Sequence, residues 1–222
     1  MDGLNKLPIR TLRLEFVRNA IVEYIRSDSR MGSYDYLFFL DMDNSNIFQM
    51  ELDRIVSSLK FLSESDNRAA VFSNQIGFYY DIWALRHPEI CPKDVWEEML
   101  DYVLTNKVSD EEAYSRTVAK RITEFDPASK EFEVDSAFGG FGIYKMKYVI
   151  NNPNPYLGSK VKVIQNDKGS KKIIRLQVCE HVHFNLGIKL LGGKLFIIPS
   201  LINGINTENL SFMPSFYRSL SF

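Results

Sequence analysis

Cysteine is scarce in this chain. Cys91 and Cys179 are too few for a disulfide framework, and free thiols fit a reducing compartment. Their expected role is as small buried packing residues. A surplus of either charge is also lacking. Lys and Arg number 27 against 28 Asp and Glu, a formal charge of -1 that offers no bulk positive field to a phosphate backbone, so no nucleic-acid partner is expected. Long apolar runs are missing too. The longest, such as 195–198, are strand-length and far short of the roughly 20 residues a spanning helix needs, so no membrane span is expected. The start of the chain interleaves Asp2, Lys6, Arg10 and Arg13 with apolar residues and lacks the continuous apolar block of a signal peptide. A cytoplasmic protein is the expectation, the one sequon at Asn209 notwithstanding. Repeats and low-complexity linkers are absent, which points to one domain over 1–222. What is abundant is apolar and aromatic side chain, 45% and 13% of 222 residues, enough to bury one sizeable core.

The periodicity predicts α/β architecture. Thr11 can cap a helix whose stripe Phe16, Val17, Ala20, Ile21, Tyr24 and Ile25 has the spacing of a helix laid on a sheet, with Arg10, Arg18 and Asn19 outside or beside it. The run 36–40 is uninterruptedly apolar and reads as a strand buried on both faces, in the middle of a sheet. Helical spacing returns over 50–62 and 93–104, with a short buried strand at 69–72 between them. The later half leans antiparallel: a Gly- and aromatic-rich stretch over 134–148, a hairpin over 160–179 turning at 166–169, and a further hairpin through Gly192 and Gly193.

The chemistry concentrates where the run 36–40 ends, in Asp41-Met42-Asp43-Asn44. Strand ends in α/β sheets open into the crevice where ligands bind, and two carboxylates one residue apart can share a hard divalent cation that keeps substrate phosphates in its shell. The same two residues could instead simply terminate the strand and hold a turn.

Tyr36-Leu37-Phe38-Phe39-Leu40-Asp41-Met42-Asp43 resembles the Asp-x-Asp strand of GT-A type, nucleotide-sugar-dependent glycosyltransferases. Arg18-Asn19 resembles the Arg-Asn helix of capsule mannosyltransferase-like and viral capsid glycosyltransferase-like members. Asn74 with 79–86, the stretch 137–144, and Cys179-Glu180-His181-Val182 are similar to further segments in the same order. The resemblance implies a GT-A-like, Rossmann-related mixed central sheet flanked by helices. It implies a hexose moved from a nucleoside diphosphate, UDP on family frequency, to a glycan or glycoprotein hydroxyl.

The roles it implies are specific. Asp41 and Asp43 would hold manganese or magnesium, with His181 as third ligand. Arg18, and more weakly Arg10, would contact the diphosphate. Tyr80, Asp81 and Trp83 would line the donor-sugar or acceptor cleft, and Gly139-Gly140 would form a close-approach loop beside the sugar. That chemistry is coherent without the family name, because a departing diphosphate needs positive charge where its own charge develops. In an extended strand His181 and His183 would share one face and Glu180 the other. Glu180, Asp135 and Asp81 are all candidates for the base that takes the acceptor proton. Bulged-strand geometry for the glycines and core packing for the aromatics are the competing readings.

The resemblance also implies that residues 1–45 are the remnant of a nucleotide-binding half ending in the acidic triplet, and 46–222 the donor-sugar and acceptor half. The GT-A pattern places two or more βα units before this strand. The expectation is therefore an open sheet edge near 36–40, or one covered by a partner chain or missing segment. Two rival functions fit the same features: a degenerate glycosyltransferase fold kept as a binding or assembly module, and a haloacid-dehalogenase-type phosphatase using Asp41 as nucleophile and Asp43 as acid/base.

Overall fold

The computed structural model describes residues 9–42, 44–46, 50–165 and 169–206. The helices are α1 (Arg10–Ser27), α2 (Leu52–Ser63), α3 (Val95–Asn106), α4 (Asp110–Arg116), α5 (Met146–Ile150) and α6 (Glu180–Leu190). The strands are β1 (Tyr36–Leu40), β2 (Arg68–Gly77), β3 (Phe132–Val134), β4 (Phe141–Lys145), β5 (Ser159–Gln165), β6 (Lys171–Gln177) and β7 (Lys194–Asn206). Five strands form a mixed sheet in the order β1-β4-β2-β7-β3, in which β2 and β7 run parallel and the other pairs antiparallel. The central strand β2 carries Ala69, Ala70, Val71 and Phe72, all fully buried, because both of its faces are covered. Alternation divides the core. Ala70, Phe72, Tyr144, Leu195 and Ile197 pack with side chains of α1, α3, α5 and α6, while Val71, Ile143, Phe141 and Leu201 pack with Leu62, Ile55 and Leu59 of α2.

β5 and β6 pair antiparallel as expected for a hairpin, the turn expected at 166–169 lying largely outside the described residues, and both thiols are buried and free. Five expectations change. The run 36–40 is an edge strand and not a central one: β1 pairs only with β4 among the described residues, leaving Phe38 and Leu40 exposed. The stripe of α1 is turned outward: Phe16, Val17, Ile21 and Tyr24 are exposed, whereas Thr11, Arg18, Val22 and Ile25 are buried. Arg18 decides that rotation, since it meets two carboxylates and three aromatic rings inside. Ile9, not Thr11, precedes the helix, and Thr11 donates to Gln177 from within its first turn. Residues 179–183 are the start of α6 and not a strand, so the alternation expected for His181, His183 and Glu180 does not apply. Finally, the Gly192-Gly193 hairpin is absent, and those residues connect α6 to the single long strand β7.

This topology gathers the C-terminal ends of β1, β2 and β7 and the N-terminal end of β4 at one edge of the sheet. Strand ends at one edge make a natural mouth for a ligand site.

Candidate functional site

A cavity of about 210 Å³ opens at this edge. Its polar wall is built by Arg10 and Arg18 from α1, Asp41 after β1, Asp81 after β2, and Glu180 and His181 at the start of α6. Tyr80, Trp83, Trp96 and Phe138 supply aromatic surface. Segments up to 170 residues apart in sequence thus meet around one small volume.

Arg18 sits at the centre. Its Nη2 donates to Asp41 Oδ1 at 2.8 Å and its Nε lies 3.1 Å from Glu180 Oε1, both the arginine and Glu180 being withdrawn from solvent. The guanidinium stands over the rings of Phe39, Phe138 and Tyr156 at 5.3, 4.9 and 5.8 Å from their centroids. Burial disfavours its charge, yet Glu180 and Asp41 outweigh burial and raise its pKa. Its Nη1 is buried with no hydrogen-bond partner. An arginine of this kind ties the middle of α1 to the end of β1 and the start of α6 and leaves Nη1 over.

His181 is 3% exposed and stacks on Phe138 with centroids 3.8 Å apart. Neither ring nitrogen has a hydrogen-bond partner, and Nε2 lies 3.8 Å from Glu180 Oε1. Burial first, and the neighbouring Arg18 second, hold its pKa well below the ordinary histidine range, so the ring is neutral. Buried polar atoms are rarely left orphaned, and a neutral imidazole is the form that ligates a metal. Asp41 and His181 both line the cavity and are donor types that a divalent cation takes, with Asp41 already paired to Arg18. Asp43 lies outside the described residues, and among these no group of three His, Cys, Asp or Glu is placed to hold a metal ion.

Asp81 Oδ1 accepts from Ala84 N–H at 3.2 Å and Oδ2 from Gly139 N–H at 3.1 Å. Half-buried at the cavity wall, its carboxyl is pushed up to about 6, chiefly by burial. Glu180 is also raised, because burial exceeds the help it receives from Arg18. Asp135 lies elsewhere. It pairs with Lys189 of α6 and does not line the cavity. His183 likewise points away, with Nδ1 at 2.8 Å from Pro155 O.

Trp83 donates its indole N–H to Asp94 Oδ2 at 2.9 Å, and Arg86 donates to the same oxygen at 3.1 Å. The polar handle of this ring is consumed, so what it offers the cavity is apolar ring surface.

Gly139 and Gly140 have φ of 69° and 84°, the left-handed region where a side chain is strained. A Cβ on Gly139 would lie 2.7 Å from Ser73 O, and one on Gly140 2.5 Å from Ser45 Oγ. The loop is fixed by a buried network that sequence reasoning missed. Ser73 Oγ, Gln75 Nε2 and Asn203 Nδ2 all donate to Gly139 O, at 2.9, 2.9 and 2.7 Å. Gln75 also donates to Asn203, and Asn203 to Asn46, whose own amide reaches Asp41 O and Gly140 O. The signal available was the run Ser73-Asn74-Gln75, three polar residues continuing an apolar strand.

No protein-family model matches the chain, and no curated protein matches it. Among the described residues no helix is long and apolar enough to cross a membrane.

Proposed function

We propose that this chain is a metal-dependent glycosyltransferase that moves a hexose from a nucleoside-diphosphate sugar, with UDP preferred, to a glycan or glycoprotein hydroxyl. One observation carries the reading. The acidic end of β1, the buried Arg18 and the orphaned His181 converge on one cavity that also holds a base of raised pKa and aromatic surface. Asp41, Asp43 and His181 would hold manganese or magnesium, which when bound would offset the charge of the leaving diphosphate.

The protein's own groups divide the remaining work. Arg18 sets positive charge beside the diphosphate through Nη1, which has no hydrogen-bond partner. Gly139 and Gly140 let the backbone come close to the sugar, and Trp83 and Tyr80 lie along its apolar faces. As the bond from the anomeric carbon to the diphosphate oxygen breaks and the bond to the acceptor oxygen forms, the acceptor proton passes to Asp81. Asp81 is favoured over Glu180, which Arg18 engages, and over Asp135, which Lys189 engages.

The test is calorimetry with manganese and a panel of nucleotide sugars, followed by analysis of the product anomer. Binding of one donor only when manganese is present, lost in Asp43→Ala while the fold persists, is the expected result. Equal donor binding in that variant, or none by the parent chain at millimolar concentrations, overturns the assignment.

A further inference from the structure

A groove of about 600 Å³ runs between α3 and α6 and meets the smaller cavity at Cys179, which lines both. That volume lies in the range of sites that take small ligands. On the α3 side, Asp94, Glu97, Glu98 and Asp101 recur at the spacing of one helix face and form an acidic wall. From Asp94 to Asp101 this wall is about 10 Å long. Val178, Val182 and Leu186 form the apolar wall opposite.

The carboxylates of this wall are already neutralised. Arg86 pairs with Asp94 at 3.1 Å, Arg121 with Glu98 at 3.0 Å, and Lys162 with Glu97 and Asp101 at 2.9 and 2.6 Å. Lys160, itself at the groove, also pairs with Glu97. A cationic ligand would have to displace one of these partners, and an anionic one would meet the carboxylates, so the groove favours neither sign. What it offers is a dense set of charge-assisted donors and acceptors facing an apolar surface. A neutral sugar ring has the matching halves, with hydroxyls around its rim and C–H groups across its faces.

The junction with the cavity is braced. Trp83 lines the cavity and Asp94 the groove, and the indole N–H bonded to Asp94 Oδ2 joins the two. Arg86 donates both to that oxygen and to Trp83 O. Asp81, the base favoured above, stands on the cavity side two residues before Trp83.

We propose that the groove between α3 and α6 is the acceptor subsite and takes a short neutral oligosaccharide, laid along α3 with its reacting end turned past Trp83 into the cavity. The role of that saccharide as acceptor rests on the glycosyltransferase reading, whereas the preference of the groove for a neutral saccharide rests on its own two walls.

The experiment titrates the full chain with cellotetraose, maltotetraose and N-acetylchitotetraose while following backbone amide resonances. Tetragalacturonate, the deacetylated chitin tetramer and a neutral amphipathic peptide serve as comparison ligands. At least one neutral tetrasaccharide should shift amides of 97–101 and 182–186 at millimolar concentration and bind at least tenfold more tightly than any comparison ligand. Leu186→Trp, which sets an indole in the groove from a position 41% exposed, should weaken that binding at least tenfold with the melting temperature unchanged. Manganese-dependent donor binding should be the same in this variant as in the parent. A parent chain that binds no donor would sink the glycosyltransferase reading alone, because the saccharide titration involves no donor. The groove assignment is overturned if no neutral tetrasaccharide shifts those amides, if a comparison ligand binds as tightly, or if Leu186→Trp leaves the binding unchanged.

Discussion

Arg18 Nε and Glu180 Oε1 lie 3.1 Å apart across 162 residues of sequence, and both side chains are nearly removed from solvent. The same guanidinium bonds to Asp41, so a single cation holds two buried or half-buried carboxylates. Breaking such a cluster from the cation side leaves charges without a counterion. Arg18→Ala should lower unfolding stability by about 3 kcal/mol or more, whereas Glu180→Gln, which keeps a hydrogen-bond acceptor, should cost less. Urea denaturation measures both, and a loss below about 1 kcal/mol for Arg18→Ala would show that the carboxylates are held by other groups.

The glycine loop gives an independent test. Gly139→Ala places a Cβ against a backbone oxygen in a left-handed conformation, so a loss of about 2–3 kcal/mol is expected, together with displacement of the N–H that binds Asp81. Gly192→Ala is the control. Its φ is also positive, but nothing lies within 4 Å of the added carbon, and about 1 kcal/mol is expected. Equal melting temperatures for the two variants would contradict the packing described for Gly139.

Asp81 makes stability depend on pH. Its pKa is higher in the fold, about 6, than in the unfolded chain, so between roughly pH 4 and 6 the folded state binds more protons and stability falls as pH rises. Relative to Asp81→Asn, the wild type should lose up to about 3 kcal/mol across that window and remain level above pH 7. A pH-independent difference between the two denaturation curves would place Asp81 at an ordinary carboxylate value. Activity, on the proposed function, should rise with an apparent pKa near 6 in the wild type and lose that limb in Asp81→Asn.

Asp94 orients Trp83 and caps α3 by accepting from Trp96 N–H and Glu97 N–H. Asp94→Asn keeps the cap but surrenders the ion pair to Arg86, so a moderate destabilisation of about 1–3 kcal/mol is expected, with a shift in indole fluorescence. Asp94→Ala, which loses the cap as well, should cost more. An unchanged emission spectrum in both would mean that Trp83 is placed by packing alone.

Local pattern was sufficient for most of the elements. The apolar run 36–40, the paired strands β5 and β6 and the acidic helix beginning near Val95 are short-range features, encoded in period. The resemblance to GT-A segments points to Arg10, Arg18, Asp41, Tyr80, Asp81, Trp83, Glu180 and His181, and all eight line the same cavity. Three matters were beyond the reach of local pattern. Whether β1 is central or an edge depends on which strands pair with it, and apolarity alone does not say. Which face of α1 turns inward was decided by Arg18 meeting Asp41 and Glu180, an interaction invisible to a hydrophobic stripe. The amides of Gln75 and Asn203, joined beneath the Gly139 carbonyl, become a site only when parallel pairing brings β2 and β7 together, since a hydrogen bond is set by distance in space and not by spacing along the chain.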